Sequence, residues 1–110
     1  MAKFLAIYHT PVEAMTQMAN ASEADKMKGM QVWLDWKEKY GSMITDLGTP
    51  LKPGIETGNG SDWSSSNTLV SGYSIVEADS LERAKAIFEN HPHVGWHPEA
   101  KIHVHEMMPM

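Results

Sequence analysis

The chain reads as an α+β domain, a four-stranded antiparallel sheet with its helices segregated on one face. Three observations carry that reading. Four separated stretches, residues 3–9, 41–53, 72–92 and 101–106, follow one another as a split β-α-β unit. The third of them, from Gly72 through Asp79 and Ser80 to Pro92, has the pattern of a strand, a capped helix and a stop. The last alternates cleanly, with Ile102 and Val104 on one side and His103 and His105 on the other.

Taken in order, residues 4–8 form a short apolar run rich in bulky side chains, which predicts a strand buried on both faces. Thr10, Pro11 and Glu13 follow as N-cap, first helical position and reciprocal cap partner. Val12, Met15, Met18 and Ala19 are then expected along one side of a short helix ending near Asn20. Ser22 predicts the cap of a longer helix that runs to Tyr40 and stops at Gly41. At about 100° per residue this helix carries two apolar arcs, Met27, Met30 and Leu34 in one and Trp33, Trp36 and Tyr40 in the other. A single sheet cannot cover both, so the aromatic arc is expected to need a pocket or another subunit.

Residues 42–47 predict a strand closed by Gly48, Thr49 and Pro50. Gly, Ser, Asn and Asp dominate residues 52–67, which predicts a long exposed loop with Trp63 folded back on the surface. Residues 68–78 are the longest strand, with Gly72 marking a bulge or a close backbone approach. Asp79 to Glu82 spell a capping box, and Leu81, Ala84, Ile87 and Phe88 the buried stripe behind it. Asn90, His91 and Pro92 end that helix, with His91 expected as a favourable charge at its C-terminus. No internal repeat and no linker divides residues 1–110, so one domain is expected.

Composition narrows the function classes. A formal charge of −5, with nine Lys and Arg scattered along the chain, argues against a nucleic-acid partner. The absence of cysteine excludes disulfides and thiol chemistry. No apolar run approaches the roughly 18–20 residues of a membrane span, and the N-terminus runs directly into strand-like sequence. A cytoplasmic protein with no membrane partner is the expectation. Nine methionines suit an irregular, adaptable core.

The quoted stretches resemble the YCII-related (DGPF-type) proteins over nearly the whole chain. Lys3 to Tyr8 is similar to that family's first strand, and residues 41–53 to its glycine-bounded second strand. Residues 72–92 are the closest match, and Ile102 to Glu106 occupy the place of the last strand. The resemblance implies a ferredoxin-like domain whose sheets pair face to face in a dimeric α/β barrel. Two departures limit it. Ser61, Asp62, Trp63, Ser64 and Ser65 stand where the Asp-Gly-Pro-Phe motif would be, and His103 and His105 replace the family's usual Glu and Arg. The Arg-Pro-x-His-Leu stretch of some members is also absent, so the resemblance carries over no catalytic residue by motif.

Candidate site residues therefore come from placement. His103 and His105 point into one space from the last strand, and His9 ends a strand expected near the sheet centre. These three are the candidates for acid–base work. Tyr73, Trp33, Trp36, Trp63 and Asp46 are the candidates for contact with a ligand, although Asp46 is read first as an acceptor in its turn. The His103–His105 spacing admits, in descending order, a hydrogen-bonded pair at a dimer interface, an acid–base pair and a metal site, and we assign no metal. His91, His93 and His97 form a second cluster around Trp96, read as capping before metal binding. The expected function is binding of a small organic molecule by a homodimer, in a cleft beside the sheet. An enzyme on this plan would do acid–base chemistry of lyase, isomerase or monooxygenase type, without a cofactor. The alternative is a non-catalytic dimeric accessory or regulatory module.

Overall fold

The computed structural model describes residues 1–66, 69–89 and 91–109, with side chains at these positions other than 12, 13, 15, 18, 95 and 96. In chain order the elements are β1 (Ala2–His9), α1 (Val12–Ala19), α2 (Glu23–Tyr40), a 3-10 turn (Gly41–Met43), β2 (Ile44–Asp46), β3 (Ile55–Glu56), β4 (Ser64–Ser65), β5 (Val70–Ala78), α3 (Leu81–Phe88), α4 (Pro92–Trp96) and β6 (Lys101–Glu106). The main sheet runs β2-β5-β1-β6, antiparallel at every pairing. That order, with the helices packed on one face, is the ferredoxin-like arrangement. The expected start of the third main strand at Thr68, its neighbour Asn67, and Asn90 after α3 lie outside the described residues.

Period-two alternation sets the two faces of the sheet. Phe4, Ala6 and Tyr8 of β1 and Ser74, Val76 and Ala78 of β5 are buried under the helices. Leu5, Ile7 and His9 point to the other face and are only half-buried. The expectation of a first strand buried on both faces is thus corrected: within one chain only one face is covered. The molecule is a slab of 43 × 40 × 21 Å. Its radius of gyration, 15.3 Å, exceeds the roughly 13 Å of a compact chain of this length.

The long helix also reverses an expectation. Trp36 is 6% exposed, and its indole N–H donates to the Ile87 carbonyl at 2.9 Å. Trp33 and Tyr40 pack beside it against the same core, whereas Met27 is 71% exposed and Met30 and Leu34 are exposed with it. The aromatic arc, not the methionine arc, faces the sheet. Indole brings the larger apolar area to bury, and its single donor finds a carbonyl in the core. Both helix ends follow the sequence signals. Ser22 Oγ accepts the Asp25 N–H at 3.1 Å, and the N–H of Gly41 bonds the Lys37 carbonyl.

Smaller corrections follow the same logic. Among the described side chains of α1, Ala14 is buried and Ala19 is exposed, while the expected stripe residues Val12, Met15 and Met18 lie outside the described side chains. Ser80, rather than Asp79, caps α3 by accepting the Arg83 N–H at 3.2 Å. Glu82 is then one position too early for a capping box and pairs with Lys85 at the surface, where such pairs contribute little. The long loop holds a two-stranded ribbon, β3 with β4, although every residue from 51 to 65 is exposed. Gly48 turns the chain out of β2 at φ 81°, and a methyl there would strike the Tyr73 carbonyl. Gly72 is the expected close approach, since a Cβ there would lie 3.3 Å from the Thr49 carbonyl oxygen and 3.4 Å from the Tyr8 ring. Among the described residues no helix is long and apolar enough to cross a membrane.

Candidate functional site

The end of β1 is where the sheet becomes irregular. Tyr8 pairs with Gly72 but His9 with Val70, so Ser71 is an extra residue on β5. Ser71 Oγ donates to the Tyr8 carbonyl at 3.2 Å and lies 2.6 Å from Thr10 Oγ1. The Thr10 N–H bonds the Leu69 carbonyl at 2.9 Å. The chain is therefore pinned as it leaves the sheet, and an open cleft of about 480 Å³ forms there. Its walls are His9, Thr10, Pro11, Leu69, Glu99, Lys101 and His103.

Antiparallel pairing sets Lys101 opposite His9 and His103 opposite Ile7. His9 and His103 are thus diagonal neighbours, with ring centroids 4.3 Å apart and planes tilted by 36°. Burial holds the His9 imidazole below its usual range, and His103, then His93 and Lys101, push it further down. Among the described residues no carboxylate lies within 4.0 Å of the Lys101 ammonium.

Other candidates spread across the same open face. Ile7 has Tyr73 on one side and His103 on the other, while Leu5 has Ile75 and His105. Tyr73 and His103 are therefore two strands apart, roughly 10 Å, and among the described residues only His9 is in ring contact with His103. Asp46 sits on the far edge strand. Its Oδ1 accepts the Gly48 N–H at 2.8 Å, and its Oδ2 accepts from the Tyr73 hydroxyl at 3.4 Å. Trp33 and Trp36 lie across the sheet in the helix-side core, and Trp63 is 67% exposed beside the ribbon. The structure therefore joins two of the candidate residues at the cleft and distributes the rest.

A second histidine group lies behind the sheet. His91 is 1% exposed and enclosed by the rings of Tyr8, Trp33, Trp36 and Phe88. It caps the N-terminus of α4, its Nδ1 accepting the His93 N–H at 3.0 Å, with Pro92 as first helical residue. A ring accepting at Nδ1 carries its proton on Nε2, which faces the Tyr8 hydroxyl at 3.5 Å. The hydroxyl donates to Ser74 Oγ at 2.7 Å, and Ser74 in turn to the Leu47 carbonyl at 2.6 Å. Burial, and secondarily His93, push the His91 pKa down to about 3. Burial likewise raises the Tyr8 hydroxyl well above its usual range, against a smaller opposing effect of the Ser74 bond. The expected cationic partner of a helix C-terminus is instead a neutral acceptor at a helix N-terminus.

His93 joins the two groups. It is buried, and its Nε2 donates to the His9 carbonyl at 3.0 Å. Burial lowers its pKa, while bonds to the His9 and Lys101 backbones oppose that shift. From behind the sheet it therefore holds the two strand ends that present His9 and Lys101 to the cleft. Sequence reasoning missed this link, along with Thr10, Pro11, Leu69, Glu99 and Lys101 as cleft walls. One signal was available: a proline after His91 marks a helix start as readily as a stop.

Among the described residues, no group of three or more His, Cys, Asp or Glu side chains is arranged to hold a metal ion. No protein-family model matches the chain, and no curated protein matches it. Among solved structures the chain is similar to the 5-chloro-2-hydroxyhydroquinone dehydrochlorinase TftG from Burkholderia phenoliruptrix AC1100, in complex with 2,5-dihydroxybenzoquinone. The two share 17% identity and a TM-score of 0.50, over 94% of this chain and 91% of the other. At that distance the likeness shows the fold, and the fold is the α+β sheet-and-helix plan described above.

Proposed function

We propose that this chain is a YCII-like, homodimeric protein that binds a small organic molecule in the cleft at the end of β1, where the His9–His103 pair moves a proton on the ligand. The observation that carries this reading is the contact of two imidazoles, 4.3 Å between centroids, in the wall of an open cleft. Imidazole is the side chain whose ordinary pKa suits both giving and taking a proton near neutrality. A lowered pKa keeps His9 neutral at pH 7, ready to act as base. The reaction class is of lyase or isomerase type. That the similar dehydrochlorinase was solved with a small quinone is compatible with this plan.

The dimer reading is supported by the uncovered sheet face, where Leu5, Ile7, Tyr73 and Ile75 are only half-buried within one chain. A second copy laid on that face would remove them from water. His105 would then lie at the interface, and the alternative of a purely accessory module shares this dimer but not the cleft. The test is chemical-shift mapping with a panel of small aromatic and quinone molecules, run beside light scattering. We expect shifts centred on His9, His103 and Leu69, and a scattering mass of two chains. Shifts confined to the helix side of the sheet would remove the cleft assignment, and a monomer at micromolar concentration would remove the dimer.

A further inference from the structure

The cleft gathers more cationic chemistry than the chain around it. The protein carries a formal charge of −5, yet Lys101, His9 and His103 line one short edge of β1 and β6. Glu99 is the one carboxylate among the described lining residues, and it makes no ion pair with Lys101 within 4.0 Å. The apolar part of the wall comes from Leu69 and Pro11. We infer that the ligand of this cleft is a small organic anion, its charged end met by Lys101 and the His9–His103 pair and its apolar body resting on Leu69 and Pro11. The inference rests on the cleft reading above and adds the charge of the ligand to it.

The physical reason is the set of groups that face His9. His103 and Lys101 approach from β6, His93 from α4, and Glu99 from the link between them. Three of these four carry or can carry positive charge. A cationic ligand would add to that repulsion and hold the imidazoles further from protonation, and a neutral one would leave it unrelieved. An anion reverses it, because a negative charge beside an imidazole favours the protonated ring. Binding of an anion therefore draws in a proton, and affinity falls as pH rises through the histidine range. Repulsion from His103, His93 and Lys101 adds to burial, the larger cause, in lowering the His9 pKa.

The experiment uses the whole chain and two probes of equal shape, benzoate and benzamide, followed through the ring signals of His9 and His103. At pH 6 benzoate is expected to bind at least about tenfold more tightly than benzamide. With one proton taken up per benzoate, affinity should fall by up to about tenfold per pH unit once the pH exceeds the pKa of the ring that takes up the proton. Benzamide binding should be flat over the same range. In Lys101→Met, which keeps an apolar stem at an exposed position, the preference for benzoate should collapse while benzamide binding persists. Equal affinities for the two probes in the unmodified chain overturn the anion inference and leave the cleft assignment standing. So does a benzoate preference that is independent of pH and survives in Lys101→Met. Failure of both probes to move either ring at millimolar concentration overturns the cleft assignment and the anion inference together.

Discussion

His91 and His103 occupy opposite sides of one sheet and receive opposite treatment. His91 is enclosed by four aromatic rings, accepts a backbone N–H and faces a hydroxyl relay that ends on the Leu47 carbonyl. His103 is exposed, touches another imidazole and looks into a cleft. The same residue type is thus part of the core in one place and part of a cleft wall in the other. Burial makes the difference: it penalises the charged form and demands that each ring nitrogen find a partner. His93 stands between the two regimes, buried like His91 but bonded to the backbone of a cleft residue.

The largest expected effect follows from the enclosed ring. His91→Ala removes its aromatic contacts and the α4 cap together, and should cost about 3–5 kcal/mol of unfolding free energy. Chemical denaturation at pH 7 reads it. His103→Ala should stay within about 0.5 kcal/mol. Similar losses from the two substitutions would break the contrast between core and cleft.

Next comes the pH dependence of stability. The folded chain keeps His91 neutral down to about pH 3, whereas the unfolded chain protonates it below about 6.5. Between those limits the unfolded state binds the extra proton, so stability falls as pH drops from 6.5 toward 3 and the contribution is lost at the bottom of that window. The lowered pKa of His9 and His93 acts in the same direction. His91→Asn keeps an acceptor for the His93 N–H without a titrating ring. It should be less stable at pH 7 and show a visibly shallower acid slope, and an unchanged slope would relocate the acid sensitivity to other groups.

The smallest effect sharpens the link between the two regions. His93→Phe keeps an aromatic ring but loses the bond to the His9 carbonyl, at a cost of about 1–3 kcal/mol. Its diagnostic readout is the His9 ring signal, which should move and broaden because the end of β1 is no longer held. The same variant should also raise the His9 pKa, since one of the charges that depresses it has gone. His9 shifts identical to those of the unmodified chain would confine His93 to a packing role.

Much of this architecture was legible in local sequence because its causes are local. Ser22 and Gly41 bound the long helix through bonds to residues three or four positions away. The β6 alternation put Ile102 and Val104 on one side and the two histidines on the other, since a strand has no other way to place them. Gly72 marked a tight approach because a missing side chain is itself a local fact.

What the sequence could not decide was competition between surfaces. Two apolar arcs on α2 both fit a core, and only packing chose Trp33, Trp36 and Tyr40 over Met27, Met30 and Leu34, by offering the Trp36 N–H the Ile87 carbonyl from 51 positions away. His91 could serve the helix before it or the helix after it, and the aromatic enclosure that keeps it neutral comes from β1, α2 and α3. The contact of His9 with His103 depends on the antiparallel register of two strands at opposite ends of the chain. Helix caps and strand alternation are short-range effects written in a few adjacent residues. Which face is buried, which imidazole stays neutral and which side chains share a cleft depend on residues brought together from 51 to more than 90 positions apart, and folding alone supplies those neighbours.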